Sequence, residues 1–400
     1  MTNNESDWYG VADDYEDAFC DGFADSFHDS TDDVVWLANV VCIPAIAAVG
    51  LVCNGLNVLI LLSNRSAKRM PSWTFLLALA ACDCFFLLFA TFEVMPNSIA
   101  SFASSPSFNR FYAHTVLYVR TLASTFYKTS VLIVVAFNVE RYVSVCRPLH
   151  AAKLCTKRAS RLSVFIALAA SFALSVQWPI CYRVVGCFDR FADAQFFVIR
   201  MSEDEGVRLY FRMMDYVAML GFNVLPIVTL CALNGVLVVT LRRVVGREQQ
   251  RRWSNDAPPV GWRKKHSIVR LAGTWNANAM LFAVVLMFFV CLAPQVPARI
   301  LFDRLGPDHP TVIVYMSISQ QLVFLNAALN FCLYCLVSRR YRRMLRRTVK
   351  KLGDAIKSQP VVFIAYKPTK LEKQLSFDAE PVDIKRLLFV QDGNGEDIRL

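Results

Sequence analysis

The sequence is poor in charge. Asp, Glu, Lys and Arg make up only 19% of its 400 residues, where a soluble domain carries roughly a quarter. Hydrophobic residues reach 55%, and the mean hydropathy is +0.38. A soluble chain could not hide so much apolar surface, which excludes a soluble enzyme and, for most of the chain, disorder. Basic residues are absent from 1–33, which hold eleven acids; acids are absent from 338–352 (SRRYRRMLRRTVKKL), which hold eight cations. The net charge of +11 is therefore an asymmetry along a membrane chain, not a nucleic-acid-binding face. The five histidines are scattered, and no spacing of the thirteen cysteines resembles a zinc site. Most of those cysteines sit in apolar runs, where Cys acts as a small hydrophobe. The acidic amino terminus lacks the basic, apolar, then small-residue succession of a cleaved leader, so the first span is expected to target the chain.

Seven stretches, near 34–62, 72–97, 112–145, 159–182, 212–241, 268–302 and 311–337, are long and apolar enough for membrane helices of about 20 residues each. The expected fold is an all-α membrane protein: an acidic extracellular tail (1–33), a seven-transmembrane helix bundle (34–337), a short amphipathic helix on the membrane surface (338–352) and a cytoplasmic tail (353–400). Tyr341, Leu345, Val349 and Leu352 recur at helical spacing among the cations of that amphipathic segment. Lys and Arg concentrate in the links after spans one, three and five, which predicts an outer amino terminus, an inner carboxyl terminus and a multi-pass plasma-membrane location. Asn4-Glu5-Ser6 is then a glycosylation sequon on the outer side. No internal repeat points to a transporter of duplicated halves.

Polar side chains inside a membrane are costly and mark function. Counting from the basic inner boundaries at about 1.5 Å per residue, Asn54, Asp83, Ser130 and Asn330 fall roughly 13–18 Å deep, with Asn326 one turn above Asn330. A carboxylate among hydroxyl and amide oxygens suits a hydrated monovalent cation such as sodium, or a proton-titrating carboxyl in a wet network; no other metal or cofactor is expected. Glu140-Arg141-Tyr142 closes span three, with Glu140 placed to hold Arg141 as an ion pair. Pro148-Leu149 follows, an apolar knob in a basic loop.

Together these positions resemble a rhodopsin-like (class A) G-protein-coupled receptor. Asn54 is similar to that family's span-one asparagine and Asp83 to its span-two aspartate. Glu140-Arg141-Tyr142 is similar to its D/E-R-Y motif, Pro226 and Pro294 to its prolines of spans five and six, and Asn330-Phe331-Cys332-Leu333-Tyr334 to N-P-x-x-Y with Phe for Pro. NVERYVSVCRPLHAAKLCTKRA, VLPIVTLCALN (with Asn234) and NFCLYCLVSRRYRRM resemble invertebrate FMRFamide-type neuropeptide receptors more narrowly. The resemblance implies a heterotrimeric G protein and arrestin as inner partners, within a lipid bilayer. It implies activation through Arg141 leaving Glu140, with Phe288, the Asp83 network and Tyr334 relaying the change. Three family features are absent: the span-three cysteine that bridges to the second outer loop, the span-four Trp, and the Trp of C-W-x-P, which here reads Cys291-Leu292-Ala293-Pro294. Cys187 is then unpaired, or bonded to Cys20 or Cys181.

The outer halves of the spans carry Glu93, Arg120, Lys128, Asp215, Arg299 and Asp303, with Tyr118, Phe126, Tyr127, Gln320 and Gln321 at similar depth. Such a mixture suits a hydrated, peptide-sized cavity. Glu93, Arg120, Tyr127, Lys128, Asp303 and Gln321 are the expected ligand contacts. By the RF-amide resemblance, Glu93 and Asp303 are the carboxylates for a ligand guanidinium. Lys128 would pair with Asp83 or Glu93, or with an acidic ligand. A chemosensory receptor for a non-peptide ligand and a transporter are the alternatives. An aminergic ligand is rejected because Ala123 stands where those receptors need Asp; an opsin is rejected because residues 311–337 contain no Lys.

Overall fold

The computed structural model describes residues 33–68, 72–99, 102, 104–189, 193–253, 282–283, 285–306, 309–337, 339–358, 390–391 and 397–398. Among them, seven helices are long and apolar enough to cross a membrane: Leu37–Ser63, Trp73–Val94, Pro106–Cys146, Lys157–Cys181, Glu205–Thr240, Val285–Leu305 and Pro310–Leu336, spans one to seven. Their outward faces are apolar, as at Val52, Phe165 and Val228, while Leu79, Leu87, Ile133, Phe288, Phe324 and Tyr334 fill a common core.

Spans three and five begin earlier than the apolar pattern predicts, at Pro106 and Glu205. Proline pre-sets the first helical φ of span three. The Asp204 side chain caps span five, accepting from the backbone N–H of Gly206 at 2.7 Å and Val207 at 3.2 Å. The added turns carry Arg110 and Arg208, which hydropathy discounts. A wide π-turn, Leu220–Val224, precedes Pro226, whose missing N–H breaks the regular ladder there. Span six breaks at Ala293-Pro294 and ends at Gly306, where φ of +85° favours glycine. The amino-terminal part of span six expected over 268–281 lies outside the described residues.

The bundle carries one feature the sequence reading missed, an antiparallel hairpin of β1 (Tyr182–Asp189) and β2 (Ala194–Met201), paired from Tyr182↔Met201 to Asp189↔Ala194. Its Val184, Val185, Phe196, Phe197, Val198 and Ile199 are strand formers. It lies at one end of the bundle, and Glu140-Arg141-Tyr142 lies at the other. The terminal helix, Arg339–Ser358, runs six residues beyond its expected end at 352. The chain divides at Lys350. The second unit contains the end of that helix and a short antiparallel pair, Val390–Gln391 with Asp397–Ile398.

Span one is locked in place by a missing side chain. A Cβ on Gly50 would lie 2.6 Å from Leu87 Cδ1 and 2.8 Å from Ala328 Cβ, so spans two and seven approach its backbone directly. One turn on, Asn54 Nδ2 donates to Gly50 O at 3.0 Å and Ala327 O at 2.9 Å, tying spans one and seven. Gly50→Val is expected to cost about 1–3 kcal/mol by overpacking, read as a lower thermal midpoint of the detergent-purified protein. Val at Gly55, where nothing approaches within 4 Å, should leave the midpoint nearly unchanged.

Candidate functional site

A cavity of about 860 Å³ opens beside the hairpin, lined by spans two to seven, with Trp178 from span four, and by Tyr182 and Met201 of the hairpin. On one wall, Arg120 Nε donates to Glu93 Oε1 at 2.6 Å. The Arg120 guanidinium carbon lies 4.8 Å from the Trp178 ring centre, so the cation has a carboxylate and an aromatic face as partners. Tyr112 fixes this corner by donating its hydroxyl to the Glu93 carbonyl. On another wall, Arg299 bridges spans five and six. Its Nε is 2.9 Å from Asp215 Oδ2 and its Nη2 is 3.3 Å from Asp303 Oδ1. The Nε contact is ionic rather than directed, because that N–H has no aligned acceptor. Tyr216 donates to Asp303 Oδ2 at 2.5 Å.

The lining holds Glu93, Asp215 and Asp303 against Arg120, Arg208, Arg212 and Arg299. Each carboxylate already has a guanidinium within ion-pair distance. Every lining acid is therefore already paired, with one arginine in excess of the acids, and a cationic group entering the cavity must exchange with a resident arginine rather than fill an empty charge site. Phe86, Tyr127, Val323 and Phe324 supply the apolar part, and Tyr127 donates to Asn223 Oδ1 of the π-turn at 3.0 Å. Burial pushes the Tyr182 phenol on β1 above its ordinary pKa, opposed in part by Arg120, so it stays a neutral hydrogen-bonding group at the rim.

Deeper in the bundle, Asp83 is 1% exposed. It accepts from Ser130 Oγ at 2.7 Å and Asn330 Nδ2 at 2.8 Å, joining spans two, three and seven. At the end away from the hairpin, Arg141 Nη2 donates to Ser72 Oγ at 2.8 Å, and its guanidinium carbon lies 5.3 Å from the Phe137 ring centre. Glu140 Oε2 accepts from Ser160 Oγ of span four at 3.2 Å. Leu149 is 86% exposed on the short helix Pro148–Leu154.

The family model "7 transmembrane receptor (rhodopsin family)" matches residues 53–334. The chain belongs to that family. It is a receptor, not an enzyme. It is 26% identical over 306 residues to a probable G-protein coupled receptor of Caenorhabditis elegans, B0563.6, covering 75% of this chain and 66% of that protein. It is 28% identical over 314 residues to neuromedin-U receptor 1 of Mus musculus (74% and 69%). To the FMRFamide receptor of Drosophila melanogaster it is 23% identical over 319 residues (77% and 53%). The chain thus spans between about half and two thirds of the length of these relatives.

In this receptor, Glu93, Arg120, Tyr127 and Asp303 line the cavity, but Lys128 and Gln321 do not; Gln320 does. Lys128 corrects the expected pairing. Its Nζ turns to the broken end of span four, donating to Leu174 O at 3.2 Å and Ser175 Oγ at 3.0 Å, with the Phe222 ring centre 5.7 Å away. Neither Asp83 nor Glu93 is its partner. Within the polar set, Asp83, Ser130 and Asn330 bond directly. Asn54 turns to backbone carbonyls instead, and Asn326 is buried nearby. Phe288 and Tyr334 are core residues, and Tyr142, Pro148 and Pro294 stand at the helix positions expected from sequence. Asn4 lies outside the described residues. Cys187 is disulfide-bonded, and Cys181 is a free buried thiol, which removes it as the partner. Cys20 lies outside the described residues.

Sequence reasoning missed the groups that hold the site together: Trp178, Ser72, Ser160 and above all Asn109. The Asn109 side chain grips Phe197 of β2 at both backbone groups, accepting from its N–H at 2.6 Å and donating to its carbonyl at 3.2 Å. It ties the hairpin to span three, the span that lacks the family's cysteine. Asn109→Ala removes both bonds, worth about 1 kcal/mol each. Hydrogen exchange over 194–201 is expected to accelerate about tenfold or more, with a smaller effect for Asn109→Asp, which keeps the acceptor for the Phe197 N–H.

Proposed function

We propose that this receptor binds a basic, amidated neuropeptide of the FMRFamide type at the hairpin end and reports it to a heterotrimeric G protein at the Glu140-Arg141-Tyr142 end. The observation that carries the reading is the cavity with two carboxylate–guanidinium clusters on separate walls. A peptide guanidinium takes the place of Arg120 at Glu93 or of Arg299 at Asp303, while its aromatic side chain packs on Phe86 and Phe324. The FMRFamide and neuromedin-U receptors among the relatives support a peptide ligand. The hairpin end then faces outside, and the acidic segment 1–33 steers a cationic peptide inward. One specific observation favours the chemosensory alternative. The lining has four arginines and three carboxylates, a surplus that a small acid would satisfy.

Binding shifts a population in which span six opens at the end away from the hairpin. The resting state is held there by two hydroxyls, Ser72 on Arg141 and Ser160 on Glu140. Leu149 packs beside the incoming G-protein helix, and arrestin uses the same crevice. The Asp83 site fits a monovalent cation or water. It offers a single carboxylate, two neutral donors that can rotate, and the nearby Asn54 Oδ1 and Tyr334 hydroxyl, both buried with no hydrogen-bond partner among the described residues. Asp83, Ser130 and Asn330 would hold such an ion, which would supply the charge that balances the carboxylate.

Dose–response curves for an RF-amide peptide on Glu93→Gln and Asp303→Asn receptors test the pocket. Potency is expected to fall about tenfold or more in at least one, the worth of a charge-assisted bond. Unchanged potency in both sinks the model, and a response to small acids that disappears in Arg212→Gln favours the alternative. Ser72→Ala releases Arg141 from one bond and is expected to raise ligand-independent nucleotide exchange about fivefold, the equivalent of about 1 kcal/mol, measured with purified receptor and G protein.

A further inference from the structure

Two of the four arginines that line the cavity have no acid to answer them. Arg120 pairs with Glu93, and Arg299 is shared by Asp215 and Asp303. Arg208 and Arg212 line the same cavity, and neither has an ion pair with a described residue. They stand four residues apart on span five, a spacing at which side chains are neighbours and like charges repel. Phe211 and Asp215 line the cavity from the same helical face. Arg208 is held at the hairpin, where its Nε donates to Ser202 O at 3.0 Å, next to the end of β2. Two guanidinium groups are thus held side by side on one wall with no counter-charge between them.

The buried donors of the cavity point the same way. Three buried side-chain atoms of its lining have no hydrogen-bond partner among the described residues: Trp178 Nε1, Arg299 Nε and Ser319 Oγ. All three can donate, and a buried donor left unmade costs free energy until an acceptor arrives. Trp178 is the one beside the surplus arginines. Its ring centre lies 5.3 Å from that of Phe211, on the span-five face that carries Arg208 and Arg212. Tyr182 of β1 completes the trio, 5.5 Å from Trp178 and 5.4 Å from Phe211. Span four, the hairpin and span five therefore meet at a wall that is rich in donors and short of acceptors.

We propose that Arg208, Arg212 and the Trp178 indole N–H form a carboxylate subsite of the cavity, and that its occupant is an acidic side chain of the peptide ligand. Charge selects the class. The lining holds four arginines and three acids, so one carboxylate brings it to neutrality, whereas a doubly charged phosphate overshoots. Geometry agrees with charge. An ionised carboxylate only accepts, and its two oxygens have about four lone-pair sites, enough for two guanidinium groups and one indole N–H together. The same anion removes the repulsion between Arg208 and Arg212. The ligand is then mixed in charge: a guanidinium for one of the acid clusters, and an Asp or Glu for the span-five wall. The inference rests on the peptide reading of this cavity, and the second arm of the test below separates its failure from the failure of that reading.

The test uses N-acetylated hexapeptides that end in Leu-Arg-Phe-amide, with Asp or Asn at one of the first three positions and Ala at the other two. Potency in nucleotide exchange is read on the unaltered receptor and on R208Q/R212Q and W178F. At one position or more, Asp is expected to exceed Asn about tenfold, the worth of a charge-assisted bond. That ratio should collapse toward one in R208Q/R212Q and shrink several-fold in W178F, which keeps a ring and loses the N–H. Both peptides are read on the same receptor, so differences in folding or expression cancel in the ratio. Equal potency at all three positions, or a ratio that survives in R208Q/R212Q, overturns the proposal. The second arm needs no peptide activity. N-acetyl-aspartate amide is expected to raise the thermal midpoint of the detergent-purified full chain, N-acetyl-asparagine amide at equal ionic strength is not, and the rise should be lost in R208Q/R212Q. Silent peptides with that rise remove the RF-amide reading and leave the subsite standing; silent peptides without it overturn the subsite. Activation by the free acid alone overturns the peptide as the source of the carboxylate.

Discussion

A carboxylate sealed inside a membrane bundle must collect its own solvation, and Asp83 does so from two other helices. Water and lipid cannot supply it there. Ser130 and Asn330 therefore fix the relative positions of spans two, three and seven to within hydrogen-bond tolerance. Span one joins the same unit without touching the charge. Gly50 lets the backbone in, and Asn54 ties it to Ala327 of span seven. The cavity above and the Arg141 region below are built on these shared helices, so a movement in one cannot leave the others' hydrogen bonds unchanged.

The same economy governs the cavity. Each of its acids is paired with a resident arginine, so no carboxylate there is left buried without a counter-charge. The arrangement also makes recognition an exchange: a ligand ion gains only the difference between its own contact and the resident one. On the proposed reading, affinity for one charged group is modest, and selectivity comes from meeting both clusters and the aromatic floor at once. A ligand long enough to do so is a short peptide more readily than a single small ion.

How much of this was legible in the sequence follows from what each signal depends on. Spans, the charged ends and the Asp83 group were readable because depth in a helix is linear in residue number. Facing direction was not. Gln320 and Gln321 differ by about 100° of rotation, and only the packed bundle says that the first lines the cavity. Lys128 follows Tyr127 by the same step and turns to span four, whose break at residues 174–176 frees the carbonyl of Leu174 that receives it. The hairpin did carry a signal, the β-branched and aromatic runs around Val184 and Phe197, overlooked beside the stronger apolar helices. Asn109 carried none. A lone amide at the start of a span announces a partner only once the strand is placed against it.

Hydroxyls and amides supply much of the latching between these spans. Asn109 grips β2 on the span that lacks the usual cysteine. Ser72 and Ser160 hold Arg141 and Glu140 from spans two and four. Asn234 of span five donates to Asn138 Oδ1 of span three at 3.2 Å. Each such bond is worth about 1 kcal/mol net, less than a disulfide and less dependent on salt than an exposed ion pair. Latches of about this strength are ones that a ligand's binding energy can overcome. That strength suits a receptor, in which the differential affinity of one ligand has to move the population.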